Sequence, residues 1–309
     1  MKKFYYQAYG LFLISDFKID AFQEVVMFQS NRDSIELKQT KINFEGYSFI
    51  DDFVIREYTK DGFLYVIKDI VAFFVKDNCM QIQPLITDER VWQSFLVGGA
   101  MSILLAHNNH FLLHGSAIEN ARSAYLFLGD SGVGKSSLAS SLALKNYNII
   151  TDDICALSQV NNVMCISLGT RQVRLLKDAV ETLNIKGARY IKHPNAEPKF
   201  GHNFSNKSIQ LKTKVEKIIE LVVDPKMEEE IALEKVDSFQ KIELLKANLY
   251  KEDLTKILKV THQNFQFITH LANEVEFYRV NRRDRNFDLL LLTDFIEKNI
   301  IQNLKLKSS

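Results

Sequence analysis

The chain has 309 residues, 46% apolar and 25% charged, which is enough for a sizeable buried core and long enough for two domains. Its formal net charge of +1 gives no electrostatic basis for nucleic acid or an anionic membrane as partner. Three widely spaced cysteines, Cys79, Cys155 and Cys165, argue against a disulfide framework or a zinc site and are expected as buried thiols in a reducing compartment.

Residues 1–88 read as a β-rich domain. "FYYQAYGLFLIS" and "GYSFIDDFVIREYT" are rich in aromatic and β-branched residues, and "DGFLYVIKD" runs from an Asp-Gly turn signal into "IVAFFVKDN" as a hairpin. The opening MKKFYYQAYG lacks a clean signal-peptide core and no apolar run is long enough to span a bilayer, so the expected location is cytoplasmic. Residues 89–309 form the second expected domain. It begins with a helical pattern from Asp88 to His107, in which Gly98 and Gly99 imply close packing.

From Asn109 the pattern changes to strands. "HFLLHGSAIE" and "SAYLFLGD" flank a polar turn as a hairpin; a glycine loop, a helix from Lys135 to Lys145 and a strand "YNIITDD" follow. "ICALSQ" and "VMCISL" around Asn161-Asn162 read as a further hairpin. Residues 171–186 read as a helix and 187–210 as an exposed polar loop, a candidate cover or peptide-contacting segment. "VEKIIELVVD" reads as a strand, and "SFQKIELLKANLY" and "FDLLLLTDFIEKNII" as amphipathic helices that close the domain.

Gly129-Asp130-Ser131-Gly132-Val133-Gly134-Lys135-Ser136 matches the phosphate-loop pattern G-x-x-x-x-G-K-[ST]. Its glycines allow successive amides to point at phosphate oxygens, and the helix that follows offers its positive end. Lys135 can reach the β- and γ-phosphates and Ser136 can ligate Mg²⁺, with Ser137 as the next helix residue of the ATP site. Asp152 and Asp153 follow one helix and one strand later. Two acids beside MgATP divide into one that holds or orients the metal and one that accepts a proton from an attacking hydroxyl. His114, one strand before the loop strand, is placed to tune an acid or steady developing charge. Arg174 or Arg171 offers a planar clamp for phosphate.

"LLHGSAIE", "LFLGDSGVGKSSLASSLALKNYNIITDDICAL" and "RQVRLLKDAVETL" together resemble the catalytic domain of the HPr kinase/phosphorylase family. The resemblance implies an α/β P-loop domain related to phosphoenolpyruvate carboxykinase, here with the β-rich N-terminal domain. It implies that His114 belongs to the family's His-Gly motif, that Gly129 to Ser136 bind ATP, that Asp152 is the general base, that Asp153 assists Mg²⁺, and that Arg174 contacts phosphate. Ser137 stands where the family's HPr kinases carry Glu, and their longer Gly-rich signature has no counterpart after Asp153. "YQAYGLFLISDF" and "LVGGAMSILLAHNNHFLLHGSAI" are instead similar to HPr-kinase-related proteins that phosphorylate the C-terminal serine of a lasso-peptide precursor. The implied activity is therefore an ATP- and Mg²⁺-dependent serine kinase with a precursor peptide as partner and some tendency to self-associate. Other acceptors consistent with the motifs are HPr and free serine, and a slow, non-transferring ATPase module is the remaining alternative.

Overall fold

The computed structural model describes residues 2–26, 34–191, 197–205, 210–250, 261–284 and 288–302. The aromatic and β-branched content of the first 84 residues becomes β1 (Phe4–Ala8), β2 (Leu11–Ser15), β3 (Gln23–Glu24), β4 (Ser34–Gln39), β5 (Val54–Tyr58), β6 (Phe63–Ile67), β7 (Val71–Lys76) and β8 (Cys79–Pro84). They form one sheet in the order β3-β1-β2-β4-β8-β7-β6-β5. The expected hairpin is β6 with β7, paired antiparallel from Phe63↔Val75 to Ile67↔Val71. β4 joins the two halves by parallel pairing with both β2 and β8.

The helical pattern after residue 88 is real but interrupted. Asp88 caps α1 (Glu89–Phe95) by accepting from the Arg90 amide. A π-helical turn over Leu96–Ala100 follows, and α2 (Met101–His107) completes it. The two glycines stand in the π turn for close packing. A Cβ on Gly99 would lie 2.6 Å from the Tyr65 hydroxyl, and one on Gly98 would touch Asp153, Arg174 and Tyr250. Apolar residues of this helical segment share a core with the N-terminal sheet, with Leu112 and with Ile154 and Ala156 of the acid-bearing strand. The N-terminal sheet is thereby packed onto the strands that carry the candidate chemistry.

The second sheet holds β9 (Phe111–Asn120), β10 (Ser123–Leu128), β11 (Asn148–Val160), β12 (Val163–Ser167), β16 (Lys212–Val223), β17 (Ile231–Lys235) and β18 (Glu276–Arg282) in the order β10-β9-β11-β12-β16-β18-β17. β10 also pairs in parallel with β16, so β9, β10, β16, β12 and β11 close on themselves. One face carries α3 (Lys135–Leu144), which buries Leu138, Ala139 and Leu142, together with helix α7 (Leu289–Ile296). The other face carries α5 (Ser238–Ala247) and α6 (Thr261–Glu274). Among the described residues no helix is long and apolar enough to cross a membrane.

Two sequence expectations are corrected. Residues 171–186 are not one helix: β13 (Gln172–Leu175) comes first and the short helix α4 (Lys177–Thr182) after it. Alternation wins over helical spacing here, because Val173 and Leu175 are buried on one face while Gln172 and Arg174, on the other, are only half-buried. The expected polar loop 187–210 contains β14 (Arg189–Ile191) and β15 (Lys199–Asn203), which pair with β13 in a small antiparallel sheet. Residues 192–196 and 206–209 of that segment lie outside the described residues.

Candidate functional site

The site assembles because β9 lies between the phosphate-loop strand and the acid strand. Ser116 of β9 is opposite Phe127 of β10 on one side and Asp152 of β11 on the other. The phosphate loop therefore begins two residues beyond Ser116's partner, and Asp152 and Asp153 lie directly across from Ser116 and Gly115, next to His114.

The loop has the backbone its glycines suggest. Gly129, Gly132 and Gly134 take φ values of 127°, 79° and 95°. Gly129 is further constrained, since a Cβ there would meet the Leu221 carbonyl oxygen at 2.4 Å. Lys135 is 7% exposed, and its ammonium donates to the carbonyls of Gly129 at 2.7 Å and Asp130 at 3.0 Å. Burial pulls its pKa down from the ordinary lysine range, against the opposing pull of Asp152, Asp153 and Asp130. A polyanion in the loop would act in the same direction as those carboxylates.

β11 is a single strand of 13 residues, whereas the sequence suggested two, with "YNIITDD" ending at the acids. Adjacent residues on a regular strand point to opposite faces. Asp153 escapes that rule with a left-handed backbone, φ 76°, and the Thr151 hydroxyl bridges past it to the Ile154 carbonyl at 2.8 Å. A left-handed residue inside a strand costs about 1–2 kcal/mol for a side chain other than glycine. Here it turns both carboxylates into one cleft of ≈ 400 Å³, together with Ser116, Ser131, Gly132, Gly134, Lys135, Ser136, Ser137 and Arg174.

The two acids have different surroundings. Asp152 is 4% exposed. Its Oδ1 accepts from Ser136 Oγ at 2.8 Å and Ser116 Oγ at 2.6 Å, and its Oδ2 from the Arg174 amide at 3.1 Å. Asp153 is part-exposed; its Oδ2 accepts from Arg174 Nη2 at 3.2 Å and the Tyr250 hydroxyl at 3.1 Å, while its Oδ1 lies 3.3 Å from His114 Nδ1. The structure thus brings His114, Lys135, Ser136, Asp152, Asp153 and Arg174 together. Arg171 is elsewhere, beside Asp20, Asn203 and Phe204. Glu197 and Lys199, from the segment read as a loop, line the same cleft.

A second opening of ≈ 390 Å³ adjoins the first. Gly129, Asp130, Ser131, His114 and Asp153 line it with residues 247–250. Val133 is buried under the loop, and its carbonyl accepts from Arg282 Nη2 at 2.7 Å. Ser116, Asn248, Tyr250 and Arg282 were not singled out as site residues from the sequence. Ser116 had a signal, its place in "HGS" opposite the acids; the others come from distant elements with none.

No protein-family model matches the chain, and no curated protein is similar to it at a significant level. Among solved structures, the chain is similar to the HPr(Ser) kinase/phosphatase from Coxiella burnetii. The match has 16% identity and a TM-score of 0.33, and covers 64% of this chain and 99% of that one.

Proposed function

We propose that the protein is an ATP- and Mg²⁺-dependent phosphotransferase that moves the γ-phosphoryl group of ATP to a hydroxyl acceptor, a serine of a peptide. The observation that carries the reading is the split environment of the acid pair: Asp152 bound to the phosphate-loop serine, and Asp153 beside His114 and Arg174 across the same cleft. A nucleotide-binding module that only orients or hydrolyses ATP needs the first acid; the second, with its own histidine and arginine, suits an acceptor hydroxyl.

The donor set fits a hard cation. The Ser136 hydroxyl and the Asp152 carboxylate, already 2.8 Å apart, would hold Mg²⁺ with phosphate oxygens and water. Bound there, Mg²⁺ would offset charge on the β- and γ-phosphates. Lys135 and the loop amides hold the triphosphate, and Arg174 supplies positive charge at the acid side of the cleft. Asp153 accepts the proton of the acceptor hydroxyl as its oxygen bonds to the γ-phosphorus and the bond from that phosphorus to the bridging oxygen of ADP breaks. His114, next to Asp153 Oδ1, aligns that carboxylate or steadies the proton it takes.

This division of labour reverses the one implied by family resemblance, in which Asp152 is the base and Asp153 assists the metal. The reason is the hydrogen-bond pattern: both Asp152 oxygens are engaged by the loop serine, Ser116 and a backbone amide, whereas Asp153 faces both openings. Asp152→Asn is therefore expected to raise the Mg²⁺ concentration needed for half-maximal ATP turnover by on the order of tenfold or more. A titration of Mg²⁺ at fixed ATP checks this; an unchanged midpoint would return Asp152 to the base role. The peptide serine, and a lasso-peptide precursor in particular, is supported by sequence resemblance, and acceptor competition decides among peptide, HPr and free serine.

A further inference from the structure

The short segment after α5 reaches the candidate site from two directions. The Leu113–Leu249 bridge, the His114 amide donating to the Asn248 carbonyl at 2.8 Å and the Tyr250 amide donating to the Leu112 carbonyl at 3.0 Å lay this segment along the edge of β9. From there Asn248 Oδ1 accepts from the Gly129 amide at 2.9 Å, at the entrance of the phosphate loop. The Asn248 Nδ2 group donates to the Leu244 carbonyl at 2.9 Å, which holds the side chain rigid at the end of α5. Two residues on, the Tyr250 hydroxyl donates to Asp153 Oδ2 at 3.1 Å.

Tyr250 is 5% exposed, and burial, followed by the nearby Asp153 charge, pushes its hydroxyl well above the ordinary tyrosine range, so it stays a proton donor. Asp153 Oδ2 is held by two groups, Tyr250 and Arg174, and the π turn packs Gly98 against all three, at 3.5 to 3.7 Å from an added Cβ. The other carboxylate oxygen lies 3.3 Å from His114 Nδ1, and Asp153 lines both openings. A left-handed aspartate inside a strand needs surroundings that over-determine it, and this cluster supplies them.

We infer that residues 248–250 act as a positioning latch: Tyr250 orients Asp153 so that Oδ1 faces the acceptor, and Asn248 fixes the start of the phosphate loop. The inference rests on the phosphotransferase reading and deepens it. Tyr250 and Asn248 are positioning residues, because they act through Asp153 and the loop. Coupling both through one segment ties the position of the acid to that of the loop, so acceptor and nucleotide sides are aligned by the same three residues.

The test is steady-state kinetics of γ-phosphoryl transfer from MgATP to a serine-ended peptide by the full chain, with melting temperature measured alongside. Tyr250→Phe removes one hydroxyl and keeps the ring. It is expected to lower kcat by on the order of tenfold to a hundredfold with the KM for MgATP unchanged. Asn248→Ala is expected to do the opposite, raising the KM for MgATP with the smaller change in kcat. A purely structural role would move both parameters, and the melting temperature, alike in the two variants. Tyr250→Phe within twofold of the wild type in kcat, or the same kinetic pattern for both variants, overturns the latch while wild-type transfer to the peptide leaves the phosphotransferase reading standing. Absence of transfer to the peptide by the wild type overturns that reading and the latch with it. If Asn248→Ala does not fold, Tyr250→Phe decides alone.

Discussion

Asp153→Asn is expected to lower phosphoryl transfer by on the order of a thousandfold, with MgATP still bound. Asparagine keeps the shape of the side chain and an oxygen that can accept from Tyr250 and Arg174, so the cluster around Oδ2 survives in outline. What is lost is the carboxylate that takes the acceptor proton. The phosphate loop, Lys135 and the Ser136–Asp152 pair are untouched, so the nucleotide side stays intact. Rate assays paired with calorimetric titration of MgATP check both halves. Normal transfer by Asp153→Asn, with loss of transfer in Asp152→Asn at every Mg²⁺ concentration, would exchange the two roles.

Lys135→Met should have its largest effect on binding. The methionine stem fills most of the lysine volume but carries no charge. In the folded chain the ammonium sits 2.7 Å from the Gly129 carbonyl and 3.0 Å from that of Asp130, poised over the loop at a cost in desolvation. A triphosphate would replace those carbonyls as its partner. Removing a cation from such a desolvated contact costs about 3 kcal/mol, roughly a hundredfold in Kd for MgATP. Titration calorimetry reads this directly, and an unchanged Kd would mean that the loop does not hold the triphosphate. The two variants therefore separate: one loses rate at constant affinity, the other loses affinity.

What could be read from the sequence was what local chemistry dictates. The phosphate loop announces itself because three glycines, at 129, 132 and 134, adopt positive φ at little steric cost within six residues. The β9–β10 and β11–β12 hairpins follow from apolar strand-like runs around short polar turns. The acid pair and His114 were legible as candidates for the same reason, since they stand one or two elements from the loop. Their roles were not, because which carboxylate touches Ser136 depends on a left-handed residue inside a strand, and aspartate gives no pattern for that. Residues 172–175 misled for a physical reason: a four-residue edge strand of a small sheet carries too few residues for period two to outweigh apolar spacing that also suits a helix. Asn248, Tyr250 and Arg282 stayed invisible because their contacts with the loop and acids span 97 to 149 positions of sequence. The parallel pairings of β4 that hold the N-terminal sheet together are likewise long-range facts.

The most direct test of the account is transfer from ATP labelled on the γ-phosphate. The wild-type chain and Asp153→Asn would each be incubated with Mg²⁺ and, separately, a serine-ended peptide, free serine and HPr. Label is expected as a stable phosphate ester on the serine hydroxyl of the peptide with the wild type, and almost none with the variant. Label released only as inorganic phosphate, at a rate indifferent to every acceptor and to Asp153→Asn, would contradict it.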